Sequence, residues 1–209
     1  MRRPRPLLLH AFPLDERMWE PQLTALAGQN ARAPRLYGRG PSLVDWAEQL
    51  LAETDGELVV VGASMGGYAA LQLARLAPER VLGLVLAGSR AGADPPERRA
   101  FRDQLITVLE RQGVPPELAT EATAAELIDA TKALRDRPDA TGVVRSFAGP
   151  FLLCVGGDDE LFSLEEAREQ ASLAPHGRVC VFPGAGHLPS VEQPDRFNDV
   201  LLEFLAQWT

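Results

Sequence analysis

The segment Gly62-Ala63-Ser64-Met65-Gly66-Gly67 carries the first sign of chemistry. Its spacing is G-x-S-x-G, and a chain of this composition would show about 0.05 copies by chance, so the flanks decide its meaning. An apolar run, Leu58–Val61, precedes it, and a helix-like stretch, Tyr68–Ala77, follows. A serine on a sharp strand-to-helix turn is held in a strained conformation with its hydroxyl exposed. Side chains two residues either side would collide with the turn or the helix, so glycine is needed there, and Gly62 and Gly66 supply it. Ser64 is therefore a nucleophile candidate. The competing reading is a glycine-rich turn that binds an anion or only changes direction. Neither G-x-G-x-x-G nor a phosphate loop ending in GKS or GKT occurs, which weakens a nucleotide site.

A serine hydroxyl is a poor nucleophile unless a base takes its proton. The chain has three histidines. His176 lies in a turn, Pro175-His176-Gly177, and is expected to be solvated. His10 ends the first apolar run, where it would hold a loop by hydrogen bonds. His187 follows the glycine-rich stretch Phe182–Gly186, a loop able to bring an imidazole over the edge of a sheet. It is the base candidate, against the ordinary alternative of a surface-loop histidine. Such an imidazole needs a carboxylate on its other nitrogen, and Gly156-Gly157-Asp158-Asp159-Glu160 places three acids just after the apolar run Phe151–Val155. Acyl transfer also needs donors for the oxyanion. The backbone N–H of Met65, next to the serine, is one. The loop His10-Ala11-Phe12-Pro13 offers the second, and Phe12 has an N–H where Pro13 has none. No metal or organic cofactor enters this chemistry, and no CxxC, HExxH or histidine cluster suggests a metal site.

Positioning these groups requires an α/β fold. Apolar runs at Leu7–Leu9, Ala33–Tyr37 (weak), Leu58–Val61, Val81–Leu86, Phe151–Val155 and Val179–Phe182 alternate with helix-like stretches. Those are Met18–Ala27, Leu43–Glu53, Met65–Ala77, Leu164–Leu173 and Pro194–Gln207. Continuous rather than alternating apolarity suits parallel strands buried on both faces, with right-handed crossovers between them. Residues 92–145 break the alternation: they are helix-like and proline-rich, and too long for a plain loop. They are expected to form a small helical cap over the sheet edge, of several short helices, within a single domain spanning 1–209. Ordinary surface helices that complete the core are the alternative.

Composition sets the outer limits. Of 209 residues, 45% are hydrophobic and the formal charge is −8, which argues against broad contact with nucleic acid or anionic lipid. No apolar stretch approaches the ~18 residues of a membrane span. Arg2, Arg3 and Arg5 precede an apolar run that His10 and Pro13 interrupt too early for a signal core, so a cytoplasmic protein is expected. Cys154 and Cys180, both in apolar runs, read as two thiols rather than a disulfide. The sequence leaves the oligomeric state open.

The stretches LLLHAFPLDERMW, VVVGASMGGYAALQLARLAPERVLGLVLAGSRAGAD, FLLCVGGDDELFS and VFPGAGHLPSVEQPDRFNDVLLEFL resemble the α/β-hydrolase superfamily, especially its small bacterial enol-lactonase and carboxylesterase branch. They cover a little under half the chain, in the right order. The resemblance implies a Ser-Asp-His order of reactive groups. Its G-x-x-D pattern aligns Gly156 with the glycine and Asp159 with the acid, leaving Asp158 and Glu160 as solvated. It implies Ser64, His187 and Asp159 as a triad, with Phe12 and Met65 forming the oxyanion hole. The activity implied is a serine hydrolase acting on a small ester, lactone or thioester, with a small acyl molecule as its partner. Trp19 and Phe12 would help shape the acyl pocket. Arg90, beyond a strand end, could pair with a substrate carboxylate as an enol-lactonase would want, or be merely solvated. Three departures stand out. The usual N-terminal hairpin is missing, so about six parallel strands are expected; the family's HG is His10-Ala11; and the segment Ala33–Ser42 lacks the family's aspartate. A non-catalytic binding module and a triad enzyme acting on a carbon–carbon bond are the alternative functions.

Overall fold

The apolar runs become strands because their residues divide between two cores. In this computed structural model, which describes residues 3–208, the strands are β1 (Arg5–Leu9), β2 (Leu58–Ala63), β3 (Val81–Ala87), β4 (Phe151–Gly156) and β5 (Gly177–Phe182). They form one sheet in the order β1-β2-β3-β4-β5, with every pair parallel. Leu7, Leu9, Val60, Leu84, Leu86 and Leu153 enter one core. Leu8, Val59, Val61, Val85, Leu152 and Cys154 enter the other. With both faces covered, no position along a central strand is left for a polar side chain.

The sheet has five strands where about six were expected. The run Ala33–Tyr37 forms no strand: the bridge beside β1 is made by Arg32, just before the run, to Leu7. Pro34 has no N–H to donate and keeps the chain from continuing the ladder. The N–H of Leu36, which could have extended it, donates instead to His10 Nε2 at 2.9 Å.

The helices are α1 (Glu20–Ala25), α2 (Leu43–Glu53), α3 (Met65–Leu76), α4 (Pro96–Gln112), α5 (Ala124–Arg135), α6 (Thr141–Ser146), α7 (Leu164–Leu173), α8 (Pro189–Glu192) and α9 (Pro194–Leu205). In α9 the apolar stripe Phe197, Leu201, Phe204 and Leu205 is buried against the sheet. Each such side chain contributes roughly 1.5–3 kcal/mol relative to exposure. The helices α2, α3 and α7 cover the opposite face through Trp46, Leu50, Leu73 and Ala167. Ser42 and Ser163 cap α2 and α7, accepting from the N–H groups of Asp45 and Glu166.

Residues 92–145 hold α4, the single turn Pro116–Leu118, α5 and most of α6, between β3 and β4. At 17 residues α4 is longer than the short helices expected, and it packs along α5. A capping box starts α5: Thr123 Oγ1 accepts from the Glu126 N–H, and Glu126 accepts from the Thr123 N–H. Cys154 and Cys180 face each other in the β4–β5 register as free thiols. Among the described residues, no helix is long and apolar enough to cross a membrane.

Candidate active site

Ser64 stands between the end of β2 and the start of α3, with φ 47° and ψ −108°. A non-glycine residue with positive φ is uncommon and strained. Two close approaches hold this turn. A Cβ on Gly66 would overlap the Leu9 carbonyl of β1, and one on Gly62 would meet the backbone of Gly66 and Gly67. The G-x-S-x-G spacing is thus a steric requirement of the elbow. Below it, the Ser89 hydroxyl lies 3.0 Å from each of the carbonyls of Ser64 and Ala87. Gln170 Nε2 donates to the Ser89 carbonyl at 3.1 Å.

Three strand ends deliver three groups to one place. Ser64 follows β2, Asp159 follows β4, and His187 follows β5. His187 Nε2 lies 3.0 Å from Ser64 Oγ. Its Nδ1 lies 2.9 Å from Asp159 Oδ2 and 3.1 Å from Oδ1. Asp159 cannot supply a proton when ionised, so Nδ1 carries the hydrogen and Nε2 is left to accept from the serine. The Asp159 side chain is fully buried. Burial pushes its carboxyl upward, but the bonds from His187 and from the N–H groups of Leu161 and Phe162 outweigh that and hold it below the usual carboxylate range. Asp158 and Glu160 are exposed.

The loop after β1 brings Phe12 to the same pocket. Ala11, the methyl that replaces the expected glycine, is accommodated in the core, and its N–H points at Met18 Sδ at 3.2 Å. Thr120 Oγ1 donates to the Pro13 carbonyl at 2.7 Å, fastening this loop to the approach to α5. Among the described residues nothing accepts from the Phe12 N–H. The Met65 N–H, in the first turn of α3, has no intrahelical acceptor. His10 lies beneath the loop, fully buried. Its Nε2 accepts from Leu36, so its Nδ1 carries the hydrogen and donates to the Ala11 carbonyl at 3.1 Å. Burial pulls its pKa from 6.5 to about 4, keeping it neutral, with Ala11, Glu16 and Asp15 opposing and Arg35 assisting.

A cavity of about 150 Å³ opens on Ser64 and His187. Tyr68, Leu134, Leu161 and Phe162 give it an apolar wall. Arg90, Arg98 and Arg102 give it a charged one. Trp19 is not part of it. It is fully buried in the core on the other side of the sheet, its ring 6.0 Å from that of Phe197, because the chain turns into α1 there. Arg90 does line the cavity, with its guanidinium on the Leu161 carbonyl and 3.2 Å from Glu166. A larger hollow of about 630 Å³ lies beside Val81, at the opposite end of the strands. It holds no nucleophile–base pair: its Ser146 hydroxyl bonds back to the carbonyl of Gly142.

Sequence reasoning missed Gly88, at the carboxyl end of β3 with φ 59°. A Cβ there would come within 2.6 Å of the His187 carbonyl and 2.8 Å of its Cε1. It also missed Tyr68, one helical turn past Ser64, and Arg98 and Arg102, which reach the cavity only through tertiary packing. Gly88 had one readable sign, its place just past a strand end. Among the described residues, no group of three or more His, Cys, Asp or Glu side chains could hold a metal ion.

A parallel sheet carrying a serine elbow, with an acid and a histidine arriving from later strand ends, defines the α/β-hydrolase class. The chain belongs to the alpha/beta hydrolase family, whose profile matches residues 7–200. It is 30% identical to a pimeloyl-[acyl-carrier protein] methyl ester esterase of Aromatoleum aromaticum, over 93% of this chain and 95% of that protein. A malate-bound esterase from Thermogutta terrifontis superposes with a TM-score of 0.85 at 28% identity, covering 99% of this chain and 91% of that one. The enol-lactonase from Burkholderia xenovorans LB400 shares the fold, with a TM-score of 0.79 at 22% identity over 97% of this chain and 91% of that one.

Proposed function

We propose that the protein is a serine hydrolase that cleaves a small carboxylic ester, lactone or thioester through an acyl-enzyme. The observation that carries this reading is the unbroken chain of contacts from Ser64 Oγ through His187 to Asp159, 3.0 Å and 2.9 Å long, at the wall of a cavity. The relatives named as a methyl ester esterase and an esterase support an ester as the bond cleaved.

Ser64 Oγ attacks the carbonyl carbon while His187 Nε2 takes its proton. Asp159 keeps the ring in the tautomer that accepts, then stabilises the imidazolium. The tetrahedral oxyanion is held by the N–H groups of Phe12 and Met65, each donor worth ~2.7–4 kcal/mol in the transition state. Collapse breaks the bond to the leaving group, which receives the proton from His187. Water, deprotonated by the same nitrogen, then attacks the acyl-enzyme and returns Ser64. Residues 92–145 act as a cap, a reading supported by Arg98 and Arg102 of α4 and Leu134 of α5, which line the cavity together with Ser64.

A fluorophosphonate probe tests the assignment. Stoichiometric labelling, lost in Ser64→Ala together with hydrolysis of p-nitrophenyl esters, is expected. A folded protein that neither takes the label nor cleaves any ester, enol-lactone or thioester is a binding module instead.

A further inference from the structure

The chain is acidic, with 29 Asp and Glu against 21 Lys and Arg. Yet the cavity at Ser64 is lined by three arginines and by no carboxylate. Their charges are unequally balanced. Arg90 lies 3.2 Å from Glu166 and is neutralised there. Arg102 donates from Nε to Asp94 Oδ2 at 3.1 Å, but Asp94 also faces Arg137 at 2.5 Å, so one carboxylate stands between two guanidiniums. Among the described residues, nothing accepts from the terminal nitrogens of Arg102. Arg98 has no acidic partner among the described residues. Its bond goes to the Leu161 carbonyl, 3.0 Å away, which the Arg90 guanidinium also uses.

Arg102 is held rigidly. The Asp94 side chain is fully buried and that of Arg137 is 2% exposed, with its guanidinium 4.1 Å from the centre of the Tyr68 ring. A buried ion pair of this kind costs desolvation and adds little stability by itself. Here it fixes Arg102 at the cavity, leaving a surplus of positive charge beside the reactive serine. Arg98 and Arg102 stand one helical turn apart on α4 and line the same cavity; neighbouring guanidiniums repel unless an anion joins them, and their planar forks match carboxylate oxygens.

We infer that Arg98 and Arg102 form a carboxylate subsite, so that the acyl group transferred to Ser64 carries a free carboxylate. The inference takes Ser64 as nucleophile from the proposed function and adds the substrate class. The cavity is small, about 150 Å³, so a short acyl chain is the one to test, and a succinyl half-ester carries its carboxylate on a two-carbon spacer. The acyl part is the one placed there because it stays bonded to Ser64, whereas the alcohol leaves.

Monomethyl succinate and its neutral counterpart methyl butanoate separate the possibilities, with hydrolysis followed by acid release. The wild type is expected to favour the succinate half-ester in kcat/KM by about 10- to 100-fold, the range of charge-assisted hydrogen bonds. That ratio should fall at least about tenfold in Arg98→Glu and in the double variant Arg98→Gln, Arg102→Gln. Arg98 is half-exposed on α4, and unchanged thermal melting confirms folding. A wild-type ratio near one, or a ratio unmoved by Arg98→Glu, overturns the subsite and leaves the esterase intact. Calorimetry on Ser64→Ala gives a readout independent of turnover. Binding of monomethyl succinate, lost in the added Arg98→Glu and not competed by inorganic phosphate, supports the subsite. No binding, or equal competition by phosphate, overturns it. Should neither ester be cleaved and no fluorophosphonate label form, the proposed function fails, and the calorimetric result still decides the subsite.

Discussion

Acid should loosen this protein through His10, far in chemistry from the reaction. The residue is fully buried, and its Nε2 is the acceptor for the Leu36 N–H. Protonation would set two hydrogens against each other and leave a buried charge, which is why burial pulls the pKa from 6.5 to about 4. Between those values the unfolded chain binds the proton and the folded one does not, so stability falls as pH drops from about 6.5 toward 4 and is fully present above that window. At about 1.4 kcal/mol per pH unit, the loss amounts to about 3 kcal/mol. Carboxylates titrate in the same range, so the measurement must be a difference. His10→Gln keeps an acceptor for Leu36 but does not titrate. Urea unfolding of both proteins at several pH values between about 7.5 and 4 gives the quantity needed. The advantage of the wild type over His10→Gln should shrink by about 3 kcal/mol across the window. A difference that stays flat, or widens in acid, refutes a neutral buried imidazole.

Three further outcomes follow from the site. Asp159→Asn should leave the fold intact but lower kcat about 10⁴-fold on a p-nitrophenyl ester, because the amide holds His187 in the wrong tautomer. Gly88→Ala should push the His187 ring away from Ser64 and reduce kcat/KM and the rate of fluorophosphonate labelling at least about tenfold, the equivalent of about 1.4 kcal/mol. Gly66→Ala, whose methyl would overlap the Leu9 carbonyl, should cost at least about 1–3 kcal/mol of stability in urea unfolding.

The strands were legible because burial on both faces leaves an unbroken apolar signature, as Leu7, Leu8 and Leu9 show by dividing between the two cores. Ala33–Tyr37 misled because its apolarity serves packing; Leu36 and Tyr37 are buried, but the backbone is committed to His10 and interrupted by Pro34. The length of α4 was hidden for the opposite reason. Its buried residues are Ile106 and Leu109 alone, and Phe101 is 61% exposed, so no apolar stripe marks the helix. Ser64, Asp159 and His187 could be read because each follows a recognisable strand. Arg98 and Arg102 reach the cavity across long sequence separations and nothing local distinguishes them, while Gly88 showed only its place just past a strand end. Trp19 lay close in sequence to Phe12 yet faces the other core.

The helical excursion departs from the sheet after Gly88 and returns before Phe151, where Leu84 and Phe151 pair again as if nothing had intervened. None of Ser64, Asp159 or His187 belongs to that excursion, nor do Phe12 and Met65. The proposed reactive groups and the arginine side of the cavity therefore come from separate stretches of the chain. Exchanging the segment that bears Arg98 and Arg102 for one of different length and charge, at a seam of two strand ends, would alter that wall and leave the groups at the other strand ends in place.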